Sequence, residues 1–105
     1  MIIKGDCYAL PLSVTLDGET LDIGQVACAE VFLAGNRKLY DGGEGAVTWD
    51  AENGVFLYPL TQEETFAIRS GCQPAQLRLK LTDGSVFGTP IRYVSFGDVL
   101  SGEVL

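Results

Sequence analysis

The chain has 105 residues and a formal net charge of −7 at pH 7. This length predicts a single domain, residues 1–105, with one hydrophobic core. The negative charge argues against nucleic acid as a partner, because its phosphates would be repelled, and against an anionic membrane surface. The sequence also lacks a run of about 20 apolar residues, the length that a membrane-spanning helix needs.

The three cysteines, Cys7, Cys28 and Cys72, are not spaced as a CxxC pair. Residues 1–12, MIIKGDCYALPL, also lack the ordered basic, apolar and small regions of a signal peptide. The odd number of cysteines and the missing signal peptide together predict reduced thiols in a cytosol. Cys28 lies in the apolar run VACAEVFL and is expected to be buried. A Cys7–Cys72 disulfide stays open as a geometric alternative.

Short apolar runs separated by turn residues predict an all-β chain. In residues 8–16 every second side chain is apolar, which is typical of a strand with one buried face. Pro11 has no N–H to donate to a neighbouring strand, so this strand is expected at a sheet edge or at a bulge. A tight turn is predicted at Asp17-Gly18. The apolar positions of the run are Tyr8, Leu10, Leu12, Val14 and Leu16.

Four more strands are predicted before the helical segment. Trp49 is the only tryptophan and is expected to anchor the core. The predicted strands are residues 26–33, residues 38–40, a short strand that begins at residues 47–49, and residues 55–60. The predicted inner-face residues are Ala29, Val31 and Leu33 in the first of these strands, with Glu30 and Phe32 opposite, and Phe56, Tyr58 and Leu60 in the last.

The clearest strand pattern covers residues 75–81, with Leu77 among the inner side chains and Gln76, Arg78 and Lys80 outside. Asp83-Gly84 predicts a hairpin turn. Gly88 and Pro90 interrupt the returning run and predict a bulge or a split into two strands. Altogether, seven to eight strands in a chain of this size predict an immunoglobulin-like antiparallel β-sandwich, with a small closed barrel as the alternative.

The segment TQEE predicts one short helical turn near residues 61–67. Thr61 is expected to cap it by accepting a hydrogen bond from the backbone N–H of Glu64, whose carboxylate accepts one from the N–H of Thr61. Glu63 and Glu64 would point about 100° apart on a helix, so we predict a structural role rather than a catalytic pair. Phe66 is expected to plug the turn into the core.

The residue types of most catalytic sites are missing. The chain has no histidine, which removes histidine-based nucleophile and metal sites. Residues 41–45, DGGEG, lack the lysine of a phosphate-binding loop. Residues 50–54, DAENG, lack EF-hand ligands, which leaves a weak Ca²⁺ site at Asp50 and Glu52 as the alternative to an ordinary turn. We therefore predict no enzymatic activity, no cofactor and no metal.

Isolated charged and aromatic residues have two interpretations. Arg37 and Lys38 are too isolated to form an anion site and are expected to face water. Trp49, Tyr40 and Tyr58 are expected to pack in the core, while an exposed sugar-binding platform is the alternative.

Residues 98–105, DVLSGEVL, are the best candidate for a protein contact. Four of them, Val99, Leu100, Val104 and Leu105, are apolar and are hard to place on the surface of a free monomer. Folding back as a last edge strand is the first expectation for these residues, and binding to a partner is the alternative. The strand that contains Pro11 is a second candidate edge.

Three stretches of the chain carry a family resemblance. They look like small all-β proteins encoded in phages and prophages of Gram-positive bacteria, which are similar to the immunoglobulin-like N-terminal domain of phage baseplate upper proteins. The resemblance spans nearly the whole chain and is most specific in residues 60–66, in Gln76-Leu77-Arg78 and in the Asp83-Gly84 turn. The stretches are MIIKGDCYALPLSVTL, YPLTQEETFAI and AQLRLKLTDGSVFGTPI.

The resemblance implies a non-catalytic structural or accessory module of a phage or prophage, associated with the tail or baseplate. Its partners would be other virion or tail proteins, or copies of itself. Baseplate upper proteins continue into a long helical stalk, whereas this sequence ends at Leu105, so an accessory or connector role is expected. The expected location is the cytoplasm of the bacterial host, with incorporation in a phage particle as a further option. A different class of function is a carbohydrate-binding or adhesion module that uses exposed aromatic residues.

We expect that removing residues 98–105 leaves a folded monomer and abolishes association, because the apolar side chains of this segment would supply the contact. Sedimentation velocity of the full and shortened chains at matched concentrations measures the effect. Unchanged sedimentation of the shortened chain would contradict the prediction.

Overall fold

The structure, a computed structural model, describes residues 1–16 and 18–105, and confirms the predicted all-β fold. In these residues the helical segments are a 3-10 turn at Ile23–Gln25 and the helix α1 at Gln62–Ala67. Neither is long and apolar enough to cross a membrane. The strands are β1 (Ile2–Ile3), β2 (Tyr8–Leu12), β3 (Thr15–Leu16), β4 (Glu19–Thr20), β5 (Val26–Leu33), β6 (Asn36–Tyr40), β7 (Thr48–Asp50), β8 (Val55–Leu60), β9 (Gly71–Leu81), β10 (Val86–Gly88) and β11 (Arg92–Gly97).

The larger sheet has six strands, built around β9. Its order is β1-β11-β9-β5-β6, and β10 pairs with β9 on the same side as β11. Every pairing is antiparallel except that of β1 with β11. The free side of β6 is partly covered, because Val47 N donates a hydrogen bond to Leu39 O (2.9 Å).

The register between β5 and β9 separates an apolar face from a polar one. Val31 lies opposite Leu77, and Ala29 lies opposite Leu79; all four are buried. On the other face, Glu30 lies opposite Arg78. The alternation predicted for residues 26–33 and 75–81 is therefore confirmed, since successive side chains of a strand point to opposite faces.

The smaller sheet has three strands in the order β2-β8-β7. In β8 the side chains of Phe56, Tyr58 and Leu60 are buried, as their period of two predicted. The prediction for Pro11 is also confirmed, because it lies in the edge strand β2, opposite Leu57.

One hydrophobic core receives side chains from both sheets. The largest fully buried side chains are Tyr58, Phe56, Phe96, Leu33, Val31, Val47 and Thr65.

The structure divides the chain into more strands than the sequence predicts. The single strand predicted at residues 8–16 is two strands, β2 and β3, which belong to different sheets. The two-residue strands β1 and β4 escaped prediction because they are too short for a period to emerge. The predicted split at Gly88 and Pro90 is confirmed, with β10 ending at Gly88. The predicted Asp17-Gly18 turn includes a residue outside the described part of the chain.

The helix α1 is fastened by Thr65 rather than by Phe66, so the prediction that Phe66 plugs the core is wrong. Thr65 is fully buried, whereas Phe66 is half-buried against Gly5. The Thr65 hydroxyl accepts from Gly5 N (2.9 Å) and donates to Asp6 O (2.8 Å). This side chain therefore joins the helix to the loop between β1 and β2.

The Thr65→Val variant tests this junction. It keeps the shape of the side chain but leaves the Gly5 N–H and the Asp6 carbonyl without their partner. Unfilled hydrogen-bonding groups of this kind cost about 1–3 kcal/mol of unfolding free energy. Urea denaturation measures the loss, and Thr65→Ser is the matched control, since it keeps the hydroxyl and gives up one methyl group. Equal stability of the valine variant and the wild type would contradict the proposed junction.

Candidate interaction site

The two cap residues, Thr61 and Glu64, lie at the beginning of α1. The Thr61 side chain accepts from Glu64 N (3.2 Å), and the Glu64 carboxylate accepts from Thr61 N (3.1 Å), so both hydrogen bonds of a capping box are present. Glu63 is exposed, whereas Glu64 turns towards Lys38. Glu64 therefore serves the helix cap and the ion pair with Lys38, while Glu63 faces solvent.

Lys38 links β6 to this cap. Its ammonium group donates to Pro59 O (2.6 Å), lies 2.7 Å from a Glu64 carboxylate oxygen and sits 4.9 Å from the centroid of the Tyr58 ring. The expectation that Lys38 faces water is wrong, since only 17% of its side chain is exposed. The cause is its place on the inner face, opposite Val31.

The same cluster shifts two pKa values. Burial raises the pKa of Tyr58 to about 12, and the nearby Glu64 charge adds to the rise. Burial also acts to raise the pKa of Glu64, but hydrogen bonds from Lys38 and Thr61 outweigh it and lower this pKa. The cluster thus favours a charged Glu64 beside a protonated Tyr58.

The acidic turn after β7 is stabilised by hydrogen bonds between its own residues. Asp50 accepts hydrogen bonds from Asn53 Nδ2 (2.7 Å), Glu52 N (3.1 Å) and Asn53 N (3.3 Å). The bond from the Asn53 side chain is the main reason that the pKa of Asp50 is lowered. These donors satisfy the carboxylate as an ordinary turn does. Within residues 1–16 and 18–105, no three acidic or cysteine side chains are grouped to hold a metal ion.

The aromatic residues considered as a sugar platform pack inside. Tyr40 is buried and Trp49 is half-buried. Both meet the Phe56 ring edge to face, with centroids 5.2 and 4.9 Å away. The two rings therefore serve the core and do not form a flat exposed platform.

The three cysteines are free thiols. Cys7 and Cys72 are exposed. Cys28 is half-buried and lies opposite Lys80, on the polar face of the larger sheet. The expectation of a core position for Cys28 is wrong, because it lies next to Ala29, an inner-face residue.

Residues 98–105, here called the C-terminal segment, follow the last strand without pairing in any sheet of the described chain. Leu100 and Leu105 are fully exposed, and Val99 and Val104 are 41% and 54% exposed. Two contacts hold the segment: Asp98 with the Ser70 hydroxyl, and Leu105 N with Gln62 Oε1 (3.1 Å). The predicted contact residues are thus accessible to a partner.

A second accessible surface covers the solvent side of the larger sheet and is here called the outer face. It has four charged residues, Glu30, Arg37, Arg78 and Lys80, on β5, β6 and β9. Glu30 bridges Arg37 (2.7 Å) and Arg78 (3.1 Å), and the hydrogen bond from Arg37 is the main reason that the pKa of Glu30 is lowered. The exposed apolar residues around this trio are Phe32, Leu39, Val86, Ile91 and Tyr93.

The outer face has two shallow depressions, and the trio lines one of them. One, of about 220 Å³, is lined by Leu39 and Val86 together with the charged residues, and the other, of about 210 Å³, by Phe32, Pro74 and Ile91. Sites for small-molecule ligands usually range from about 300 to 1,000 Å³. Depressions of this size suit single side chains of a protein partner.

Comparison with protein-family models, with curated proteins and with solved structures found no match to this chain. The surfaces of the chain itself are therefore the basis for a functional assignment.

Acidification should remove the contribution of the Lys38–Glu64 ion pair to stability. The Glu64→Gln variant keeps an acceptor for Thr61 N but loses the charge that faces Lys38, so we expect a loss of about 0.5–1 kcal/mol of unfolding free energy near pH 7. Because the pKa of Glu64 is lowered from 4.5 in the folded protein, its contribution is present above pH 4.5 and disappears as the pH falls through the lowered value.

The unfolding free energies of the Glu64→Gln variant and the wild type should therefore converge as the pH falls. Urea denaturation between pH 7 and pH 3 measures both. Glu63→Gln, at the exposed neighbouring position, is the matched control and should change little. If Glu63→Gln and Glu64→Gln gave the same stability profile, the Lys38–Glu64 pair would have no part in stability.

Proposed function

We propose that the protein is a non-catalytic structural or accessory module of a phage or prophage, associated with the tail or baseplate, that acts through protein–protein contacts. The observation that carries this proposal is the exposure of four apolar side chains in the C-terminal segment, next to a sheet that does not pair with it. Exposed apolar groups in a continuous segment are typical of contact sites.

The strand order supports the same proposal. We propose that the two sheets form an immunoglobulin-like sandwich, because β11-β9-β5-β6 and β2-β8-β7 follow the variable-type order. This fold agrees with the resemblance of residues 58–68 and 75–91 to phage proteins similar to the N-terminal domain of baseplate upper proteins. A fold of this kind serves many functions, so the exposed surfaces carry the functional part of the proposal.

A protein contact has more support than binding of a carbohydrate. The aromatic rings suggested for a sugar platform, those of Tyr40 and Trp49, pack against Phe56. By contrast, Leu100 and Leu105 present their entire side chains to solvent. Other virion or tail proteins, or copies of this chain, are the proposed partners. The proposed location is the cytoplasm of the bacterial host, followed by incorporation in the particle.

Purified phage particles from the strain that encodes the protein test this function. We expect quantitative mass spectrometry to find the full chain in tail fractions at a fixed ratio to other tail proteins. A chain shortened to residues 1–97 should fold, as judged by circular dichroism, but be lost from the particles, because burial of each removed leucine would contribute about 1.5–3 kcal/mol to docking.

Two results would contradict the proposal. One is the absence of the full chain from particles that contain the remaining tail proteins. The other is equal incorporation of the full and shortened chains, which would assign the contact to a different surface. The Ser101→Ala variant is the control, because it changes the same segment without removing an apolar side chain.

A further inference from the structure

We propose that the outer face binds the C-terminal segment of a second copy of this chain, so that copies associate head to tail. This proposal rests on the proposed function, since it names one partner for the segment that carries that function. It also assigns a role to the outer face, which the sequence did not single out as a contact.

Charge complementarity identifies a second copy as the occupant. The whole chain has a net charge of −7. The outer face is an exception, because Arg37, Arg78 and Lys80 outnumber Glu30, which gives three positive charges minus one negative, or +2. The C-terminal segment has two acidic residues, Asp98 and Glu103, and no cation. A positive sheet face and a negative segment of the same chain attract each other.

The apolar groups of the two surfaces also fit each other. The two depressions of the outer face lie next to each other along β5, since one includes Cys28 and Glu30 and the other Phe32. Leu100 is fully exposed and Val104 is 54% exposed, so both side chains are accessible to such depressions. Burial of these aliphatic groups beside the cations of the ionic trio, Glu30, Arg37 and Arg78, would stabilise the contact.

The segment of the same copy occupies a different place. Asp98 contacts Ser70, and Leu105 N donates to the Gln62 side chain of α1. These contacts place the segment beside α1 and the connection that follows it. The edge strand β2 is a poorer receptor, because Pro11 provides no N–H and the strand has no cation. A contact between two different surfaces is heterologous, and it produces rings or open chains rather than closed dimers.

Sedimentation velocity of the full chain over a wide concentration range tests the proposal. We expect wild-type association beyond a dimer. The Leu100→Ser/Val104→Ser double variant should weaken it at least about 100-fold, because two buried aliphatic side chains are lost. Lys80→Glu should weaken association about tenfold, and Arg92→Glu is the matched control, with the same change in net charge at an exposed position that lies opposite Ala75 and outside the outer face.

Exchanging the charges of Lys80 and Glu103 between two variants gives the most specific test of the contact. Lys80→Glu and Glu103→Lys should each weaken self-association, and an equal mixture of the two variants should associate more strongly than either alone. A face-to-face dimer predicts instead that Glu103→Lys behaves as the wild type. That behaviour, or equal effects of Lys80→Glu and Arg92→Glu, would overturn the proposal.

The proposal and the proposed function fail in different ways. A wild-type chain that stays monomeric up to about 1 mM, a concentration at which contacts of only about 4 kcal/mol would be seen, overturns head-to-tail association. Incorporation in tail particles does not depend on that result. Conversely, association without incorporation would contradict the function and leave the contact between copies in place.

Discussion

The antiparallel pairing of β5 with β9 determines which side chains of the larger sheet form the core and which face solvent. It joins the two longest strands. Six consecutive residue pairs, from Cys28–Lys80 to Leu33–Ala75, follow one another without a shift in register. A slip of β5 by one residue would move Val31 to the solvent side and bring Glu30 into the core. The cost of burying this charge, with apolar groups exposed in exchange, specifies the register.

The same register creates the outer face. When Ala29, Val31 and Leu33 point inward, Glu30 and Phe32 must point outward, beside Arg78 and Gln76. The core and the proposed contact surface are thus two consequences of one alternation. Because β10 and β11 also pair with β9, their exposed residues extend this surface across the sheet.

Local patterns predicted much of the fold. The bounds of β5 and β8, the capping box at Thr61 and the interruption of the run after Gly88 all depend on residues close together in the sequence. Alternation over six or more positions indicates a strand without knowledge of its neighbours. The accessible C-terminal segment could also be recognised, since Leu100 and Leu105 lie beyond the last strand pattern.

Features that depend on distant residues could not be predicted in this way. The buried role of Thr65 requires the loop at Gly5 and Asp6, about 60 positions earlier. The burial of Lys38 escapes prediction because its partner Glu64 lies in α1, 26 positions later in the sequence. The outer face needed the pairing of β5, β6, β9 and β10 before its charged and apolar residues could be seen as one surface.

The proposed assembly requires the outer face of one copy to contact the C-terminal segment of another. Two-dimensional ¹H–¹⁵N NMR spectra of the full chain, recorded at increasing protein concentration, detect this contact residue by residue. We expect the amide signals of residues 99–105 and of Phe32, Arg78 and Lys80 to shift together with one dissociation constant, while those of β8 stay in place. Spectra without concentration dependence, or shifts confined to β2 and its neighbours, would contradict this expectation.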